Sequence, residues 1–450
     1  MNWISALKRG WKEDPLLQKI VKNSGYLLSG NVASMVLSIG QSILAGRLLG
    51  VVGFGIVGTI TAFATLLNRL TSFRMNELVV KYYGEARQQG NVQRAGAIVK
   101  AAGLAEAASA FISFLLLIII APLAASRLAD DPSITWLFRM YGLVILSNLT
   151  FESSQGVLQV DGKFRSQALF TLLGSLITAG IILYAFVTHS DLQVVILAYL
   201  IGKSVLSIGT ISVALVNLQQ QLGKDWWKSS FSSLPPIKEL AGFAISTNLS
   251  STIILLVRDN EVLWAAYFLS PLESGYVKTA LALINLVQMP ITPLISTTYP
   301  EINAAVAKKD WNGVRHLLKR VTSISAGWTI ATGIGIILFG RWLLSIYGSG
   351  FEPAYVPMLF FLAGLGFANV FFWNRPLLLS LGLPMVPYRI SLWCGIAKLL
   401  LAFLLVPRFG INMEAFLLSA FFIVSVTLII TRGFREISKR ERAERKGDIA

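Results

Sequence analysis

The chain has one cysteine and two histidines in 450 residues, and each scarcity removes a class of function. Cys394 lies within an apolar run, so neither a disulfide framework nor a thiolate metal site can be built. His189 and His316 are far apart in sequence and lack the neighbouring ligands of a zinc or haem site. His189, beside Ser190 and Asp191, reads as a loop residue. Charge is scarce as well: 14% of residues are charged and 54% hydrophobic, with a mean hydropathy of +0.65. A soluble globular domain carries roughly 25% charged residues, so this chain cannot cover itself in water. No Walker lysine motif occurs, which excludes ATP hydrolysis by that route, and no cofactor is expected.

What remains is a series of apolar runs near the length that crosses a bilayer core of about 30 Å. They predict an all-α polytopic membrane protein of about twelve spans, near 24–49, 51–72, 96–125, 134–158, 166–188, 192–217, 240–268, 274–298, 316–339, 355–381, 386–407 and 412–432. The chain then divides into a first lobe at 24–217, a linker at 218–238 with Pro235 and Pro236, a second lobe at 239–432, and a basic tail at 433–450. Residues 1–23 hold Trp3, Ile4, Leu7 and Trp11 on one helical face with Lys8, Arg9 and Lys12 nearby, a pattern for a helix lying on the membrane surface. In the tail, Glu436 with Arg440 and Glu441 with Arg445 predict a solvated, self-paired helix.

The 39 Lys and Arg outnumber the 23 Asp and Glu, and their placement sets orientation. About 28 fall on one face and about four on the other. Both termini and the linker are therefore expected on the cytoplasmic side of a plasma or inner membrane. The basic excess is a topology signal with an attraction to membrane lipids, and no nucleic-acid partner is needed.

The two halves repeat. LGVVGFGIV at 49–57 aligns with LSPLESGYV at 269–277, GNVQR at 90–94 with WNGVR at 311–315, and Gly162 with Gly382, all at an offset of about 220. This predicts two six-helix lobes of the same orientation. Shifting the first span by the same offset maps Ser38 onto Arg258 and Gln41 onto Glu261. The cluster Arg258, Asp259, Asn260 and Glu261 then falls inside the seventh helix, where a charge costs at least ~2.5 kcal/mol unless it meets water or a partner.

Polar stripes mark the corresponding helices of both halves. They comprise Ser24, Asn31, Ser34, Ser38 and Gln41; Thr61, Thr65, Asn68 and Ser72; Thr247, Ser251 and Arg258; and Ser274, Lys278, Asn285, Gln288 and Thr292. Helix packing alone explains any one stripe, whereas a central polar cavity explains them together. Arg47, Arg69, Arg258 and Lys278 would give that cavity a net positive charge suited to a phosphate-bearing cargo. Arg139, Lys203, Arg375 and Lys398 are further cations within spans. Glu106, among small residues, is a candidate ion-coupling carboxyl or a packing group, and Glu261 is a second coupling candidate.

Two motifs mislead. GFGIVG at 53–58 fits a dinucleotide fingerprint, but no strand precedes it, so it reads as a tight turn with small-residue packing. Asp130 and Asp131 resemble a catalytic pair, but Asp131-Pro132-Ser133 before an apolar run reads as a helix start. No catalytic residue is expected.

GRLLGVVGFGIVG at 46–58, GVLQVDGKFR at 156–165, PITPLISTTYPEI at 290–302, FWNRPLLLSLG at 372–382 and VPRFGIN at 406–412 resemble, in order and spacing, the polysaccharide and lipopolysaccharide flippases of the multidrug, oligosaccharidyl-lipid and polysaccharide exporter superfamily. The resemblance implies two lobes in a V shape with alternating access. It also implies a cargo of oligosaccharide linked to polyprenyl pyrophosphate, with polysaccharide polymerase and other assembly proteins as partners. Arg47, Asp259 and Gly275 match recurrent family positions. The expected function is a flippase for cell-surface polysaccharide such as O-antigen, lipopolysaccharide or exopolysaccharide. A multidrug or cation antiporter of the same fold is the nearest rival, and an integral-membrane glycan polymerase or glycosyltransferase the rival from another class. Replacing Arg258 by Ala is expected to abolish transport while the protein still reaches the membrane, measured as glycan movement across liposomes beside membrane yield. Undiminished movement would remove Arg258 from the cargo path.

Overall fold

The computed structural model describes residues 15–72, 75–236, 239–240, 257 and 259–447, with side-chain surroundings from Ala33 onward except at 292–293, 296–297 and 445–447. Of the expected surface helix at 1–23, residues 1–14 lie outside what is described, as do the side chains of Ser24, Asn31, Thr247, Ser251, Arg258 and Thr292. Among the described residues there is no strand, and nine helical runs are long and apolar enough to cross a membrane. The chain is an all-α polytopic membrane protein. In hydrocarbon only helices and closed barrels satisfy every backbone polar group internally, and the apolar runs here have helical length.

The described helices are α1 Pro15–Thr71, α2 Met75–Gln88, α3 Val92–Leu128, α4 Thr135–Ser147, α5 Phe151–Val160, α6 Phe164–Val187, α7 Leu192–Leu222, α8 Glu261–Phe268, α9 Pro271–Gln288, α10 Thr292–Ala307, α11 Trp311–Ser345, α12 Tyr355–Val370, α13 Asn374–Ser380, α14 Met385–Phe409 and α15 Ile411–Gly447. α1 is two spans joined at Gly50, whose φ of 66° and ψ of −177° only glycine adopts without strain. The turn expected between the first two runs is therefore present.

By contacts the chain falls into two compact units. One holds Met1–Leu48, Ile60–Ser126 and Asp131–Ser251; the other holds Leu49–Thr59, Arg127–Asp130 and Thr252–Ala450. In the first, a buried core joins Leu78, Val79, Tyr82 and Tyr83 of α2 to Ile98 of α3, Val157 of α5 and Leu218 of α7. The Tyr83 hydroxyl donates to Asp161 at 2.9 Å, and burial, with Asp161 alongside, pushes the phenol pKa up so that it stays a donor. In the second, Ile302 of α10, Trp311 and Leu318 of α11, Trp373, Leu377 of α13 and Ile429 of α15 form the corresponding core.

Left-handed turn residues recur in both halves. Gly90 pairs with Lys309, Gly162 with Gly382, and His189 with Gly410, at separations of 219, 220 and 221. The structure corrects one pairing: Asn91 caps Arg94 N and Asp310 caps Gly313 N, so this turn repeats at 219, not at the 221 that residue similarity suggests. Asp131 caps the 3-10 turn Pro132–Ile134, as its sequence predicts. The Ser133 hydroxyl and amide hold its carboxyl below the usual carboxylate range.

The tail departs from expectation. α15 runs unbroken to Gly447, and Glu441 pairs with Arg315 of α11 at 2.8 Å, while Glu444 accepts from the Trp311 indole at 2.8 Å. Arg440 bonds Glu436 at 3.1 Å as predicted, and also donates to Leu381 O at 2.6 Å. Long-range partners were available, so the helix is docked and not simply solvated.

The GFGIVG turn is a packing device inside the second unit. A Cβ on Gly55 would lie 2.0 Å from Pro271 O, and one on Gly275 would lie 2.3 Å from Val51 O. Gly55→Ala is therefore expected to lower the thermal midpoint in detergent, by about 1–3 kcal/mol of overpacking. Gly40→Ala, with nothing within 4 Å of the new carbon, should leave it equal or higher. Equal midpoints for the two variants would refute the close approach.

Candidate functional site

Among the described residues, two of the breaks within spans place buried polar groups. The first break, at 148–150, separates α4 from α5. Its freed groups are taken up by neighbours: Glu106 Oε1 accepts from Glu152 N at 2.7 Å, and Glu106 Oε2 from Ser153 N at 2.9 Å and Ser153 Oγ at 2.6 Å. On the other side, Ser207 of α7 donates to Asn148 Oδ1, and Ser204 to Ser147 Oγ at 3.1 Å. The buried Glu106 is thus the cap of α5, set at the positive end of the helix.

The second break, at 371–373, separates α12 from α13. Ser325 Oγ donates to Val370 O at 2.7 Å, and the Trp373 indole to Thr322 Oγ1 at 2.6 Å. Buried Asn369 donates to Thr329 Oγ1 at 2.9 Å. This break forms one wall of a cavity of about 340 Å³ within the second unit. The polar lining comes from Gln288, Asn369, Asn374, Arg375, Tyr388, Ser391 and Ser425, and the apolar lining includes Phe372, Phe421 and Phe422. Among the described residues that line it, Arg375 is the one charged group and no acid is present. Such a volume falls in the range of about 300–1,000 Å³ of ligand pockets.

The sequence-predicted site residues are distributed more widely than one cavity. Gln288 lines the pocket. Buried Gln41 instead donates to Ser175 O of α6 at 2.7 Å, tying two helices of the first unit. Arg47 and Arg69 are exposed and Asn68 half-buried, and Arg69 lies in electrostatic range of Lys203 on α7. Lys278 is held by the α1 turn: Nζ donates to Phe54 O at 3.2 Å and sits 3.8 Å over the Phe54 ring. That ring packs in turn on Tyr347 and Phe351. Asn285 and Asp259 are exposed. Glu261 is buried and ion-paired with Lys398 of α14. Asn31 and Arg258 fall outside the described side chains.

Sequence reasoning finds Arg375 as an intramembrane cation but leaves it out of the site. It misses Glu414, buried in the first turn of α15. Arg375 follows Asn374 in a polar interruption of an apolar run, and Glu414 is an acid three residues into the last helix, which are the signals that mark them.

Residues 20–305 match the model of the family described as polysaccharide biosynthesis protein. An inner membrane protein of Escherichia coli K12, YghQ, is 23% identical over 351 residues, covering 77% of this chain and 97% of that protein. A multidrug resistance MATE family transporter of the MOP superfamily, solved in an inward-facing conformation, gives a TM-score of 0.70 at 13% identity, over 91% of this chain and 96% of that one. The Vibrio cholerae MATE transporter VcmN, solved as a mutant, gives 0.59 at 12% identity over 95% and 97%. At these identities the solved structures establish the fold.

The cap assignment of Glu106 has a direct consequence. Glu106→Ala leaves buried donors at the start of α5 and is expected to cost about 2–3 kcal/mol, read as a lowered thermal midpoint. Glu106→Gln, which keeps one acceptor, should lose less. An unchanged midpoint in the alanine variant would remove the capping role.

Proposed function

Because the chain belongs to the polysaccharide biosynthesis protein family, a membrane exporter by fold, we propose that it moves an oligosaccharide linked to polyprenyl pyrophosphate from the cytoplasmic to the outer leaflet. The reading has the two lobes alternate access to the cargo, both termini on the cytoplasmic side, and the product passed to a polysaccharide polymerase. The observation that carries it is the lining of the second unit's cavity. Arg375 can meet phosphate oxygens in pairs. Asn369, Asn374, Gln288, Ser391 and Ser425 offer the amides and hydroxyls that sugar hydroxyls bond, and Phe372, Phe421 and Phe422 give apolar surface. The cation-antiporter alternative needs acid in such a lining, and the described lining residues include none. At about 340 Å³ the cavity suits a head group and its first sugars, with the lipid left in the bilayer.

The test uses purified protein in liposomes carrying a labelled polyprenyl-pyrophosphate oligosaccharide, with a glycosidase added to one side. Wild type should expose the sugar to the enzyme. Arg375→Ala should slow exposure about 10- to 100-fold, the loss of a hydrogen-bonded charge worth about 1.5–3 kcal/mol, with Arg375→Lys in between. A new glycosidic product without movement would make the protein a transferase. Efflux of an organic cation without glycan movement would favour the antiporter.

A further inference from the structure

Three charged side chains of the second unit meet where α8, α14 and α15 pack, away from the cavity lining. Lys398 of α14 is 4% exposed, and Glu261 of α8 and Glu414 of α15 are each 1% exposed. The Lys398 ammonium bonds Glu261 Oε1, and donates to Val257 O at 2.9 Å. Glu261 Oε2 and both oxygens of Glu414 are buried with no hydrogen-bond partner. Glu414 lies in electrostatic range of both Glu261 and Lys398, and Asp259 acts on Glu261.

Among the described residues, the helices packed on α15 add no neutralising charge beyond Lys398. α12, packed along α15, offers only Tyr355, whose hydroxyl is bonded to Ile337 O at 2.8 Å. α13 offers only Arg375, which lines the cavity. Apart from Lys398, the ionisable residues of α14 are Tyr388, Arg389, Cys394 and Arg408, and none of these acts on Glu414.

One ammonium thus stands against two carboxylates. If both were ionised, a net negative charge would sit in a low-dielectric site without hydrogen bonds, at a cost of several kcal/mol. The first turn of α15 favours an anion at Glu414, but a helix terminus offsets only a small part of the cost of burying a charge, so burial prevails. A proton on Glu414 removes the excess. We propose that Glu261, Lys398 and Glu414 form a binding site for a single exchangeable proton, carried by Glu414 while Lys398 neutralises Glu261.

The fold does not require this charge. At the repeat offset of about 220, Glu261 corresponds to Gln41, and α8 against α14 corresponds to α1 against α6. There the joint is a neutral one, Gln41 to Ser175 O at 2.7 Å, with Thr178 turned onto Gly174 O of its own helix at 2.9 Å. The ionisable groups are an addition in one half. Glu414 also stands three residues from the start of α15, which gives a proton a short way to the aqueous phase. Water supplies the proton as hydronium and takes it back.

The site stands independently of the cargo, and its test needs none. Infrared difference spectra of the reconstituted protein between about pH 5 and about pH 9 should show the carbonyl stretch of a protonated carboxylic acid, falling as pH rises. The band should be absent in Glu414→Gln, an isosteric change that retains packing, and roughly doubled in Lys398→Met, where neither carboxylate has a counter-charge. Superimposable spectra for wild type and Glu414→Gln would overturn the site. A Glu414 band of constant intensity across the range would show a fixed structural proton and overturn its exchange. An undoubled band in folded Lys398→Met would overturn the sharing of the ammonium.

Discussion

Everything in this architecture follows from the cost of an unpaired backbone group in hydrocarbon, several kcal/mol for each N–H or C=O left without a partner. A continuous helix meets the constraint alone. A broken one must borrow, and the breaks at 148–150 and 371–373 do. At 148–150 the lender is a carboxylate, Glu106, with two serines of α7 opposite. At 371–373 the lenders are Ser325 of α11, which donates to Val370 O, and the Asn374 amide, which donates to Phe371 O. Glu106 and Ser325 are 219 residues apart, the separation of the turn pair Gly90 and Lys309. The two halves thus solve one problem at one place with different chemistry, and the second solution sets Asn374 and Arg375 in the cavity wall.

The same economy explains the small residues. Gly55 and Gly275 exist where backbones approach within distances that no Cβ permits, and the turn they allow presents Phe54 to Lys278. That lysine is held by a carbonyl and a ring face, which offset part of the cost of its burial. A cation that looks like cargo recognition in a polar stripe is, at this position, a fastening of the turn.

The fold was legible because its signals are additive over long windows. Apolar run length and the offset near 220 each draw on many residues, and the Gly50 and Asp131 turns rest on local backbone chemistry that tolerates few alternatives. The site was less legible because a polar side chain at helical spacing has the same sequence signature whether it faces a cavity or a neighbour. Gln41 and Gln288 are alike in sequence context, yet one ties α1 to α6 and the other lines the pocket. Glu441 shows the same limit: the partner four residues on was visible in sequence, and Arg315, 126 residues away, was not. Long-range partners decide these cases, and they exist only in the packed chain.

On the proposed reading, the sorting of cations also bears on how a transporter lets go. Lys278 is engaged by the turn and Lys398 by Glu261, so neither adds to the charge lining the cavity. Among the described residues, what faces that space is one guanidinium with amides, hydroxyls and rings. Several lysines converging on a pyrophosphate in a low-dielectric pocket would bind it too tightly to release, since each close charge pair gains energy as the dielectric falls. A guanidinium gains geometric selectivity from its planar fork and is more weakly hydrated than an ammonium. The remaining contacts are neutral hydrogen bonds, each worth about 0.5–1.5 kcal/mol net. Such a lining recognises a phosphorylated glycan by shape and by many small contacts, which is the condition for a ligand to enter on one side and depart on the other.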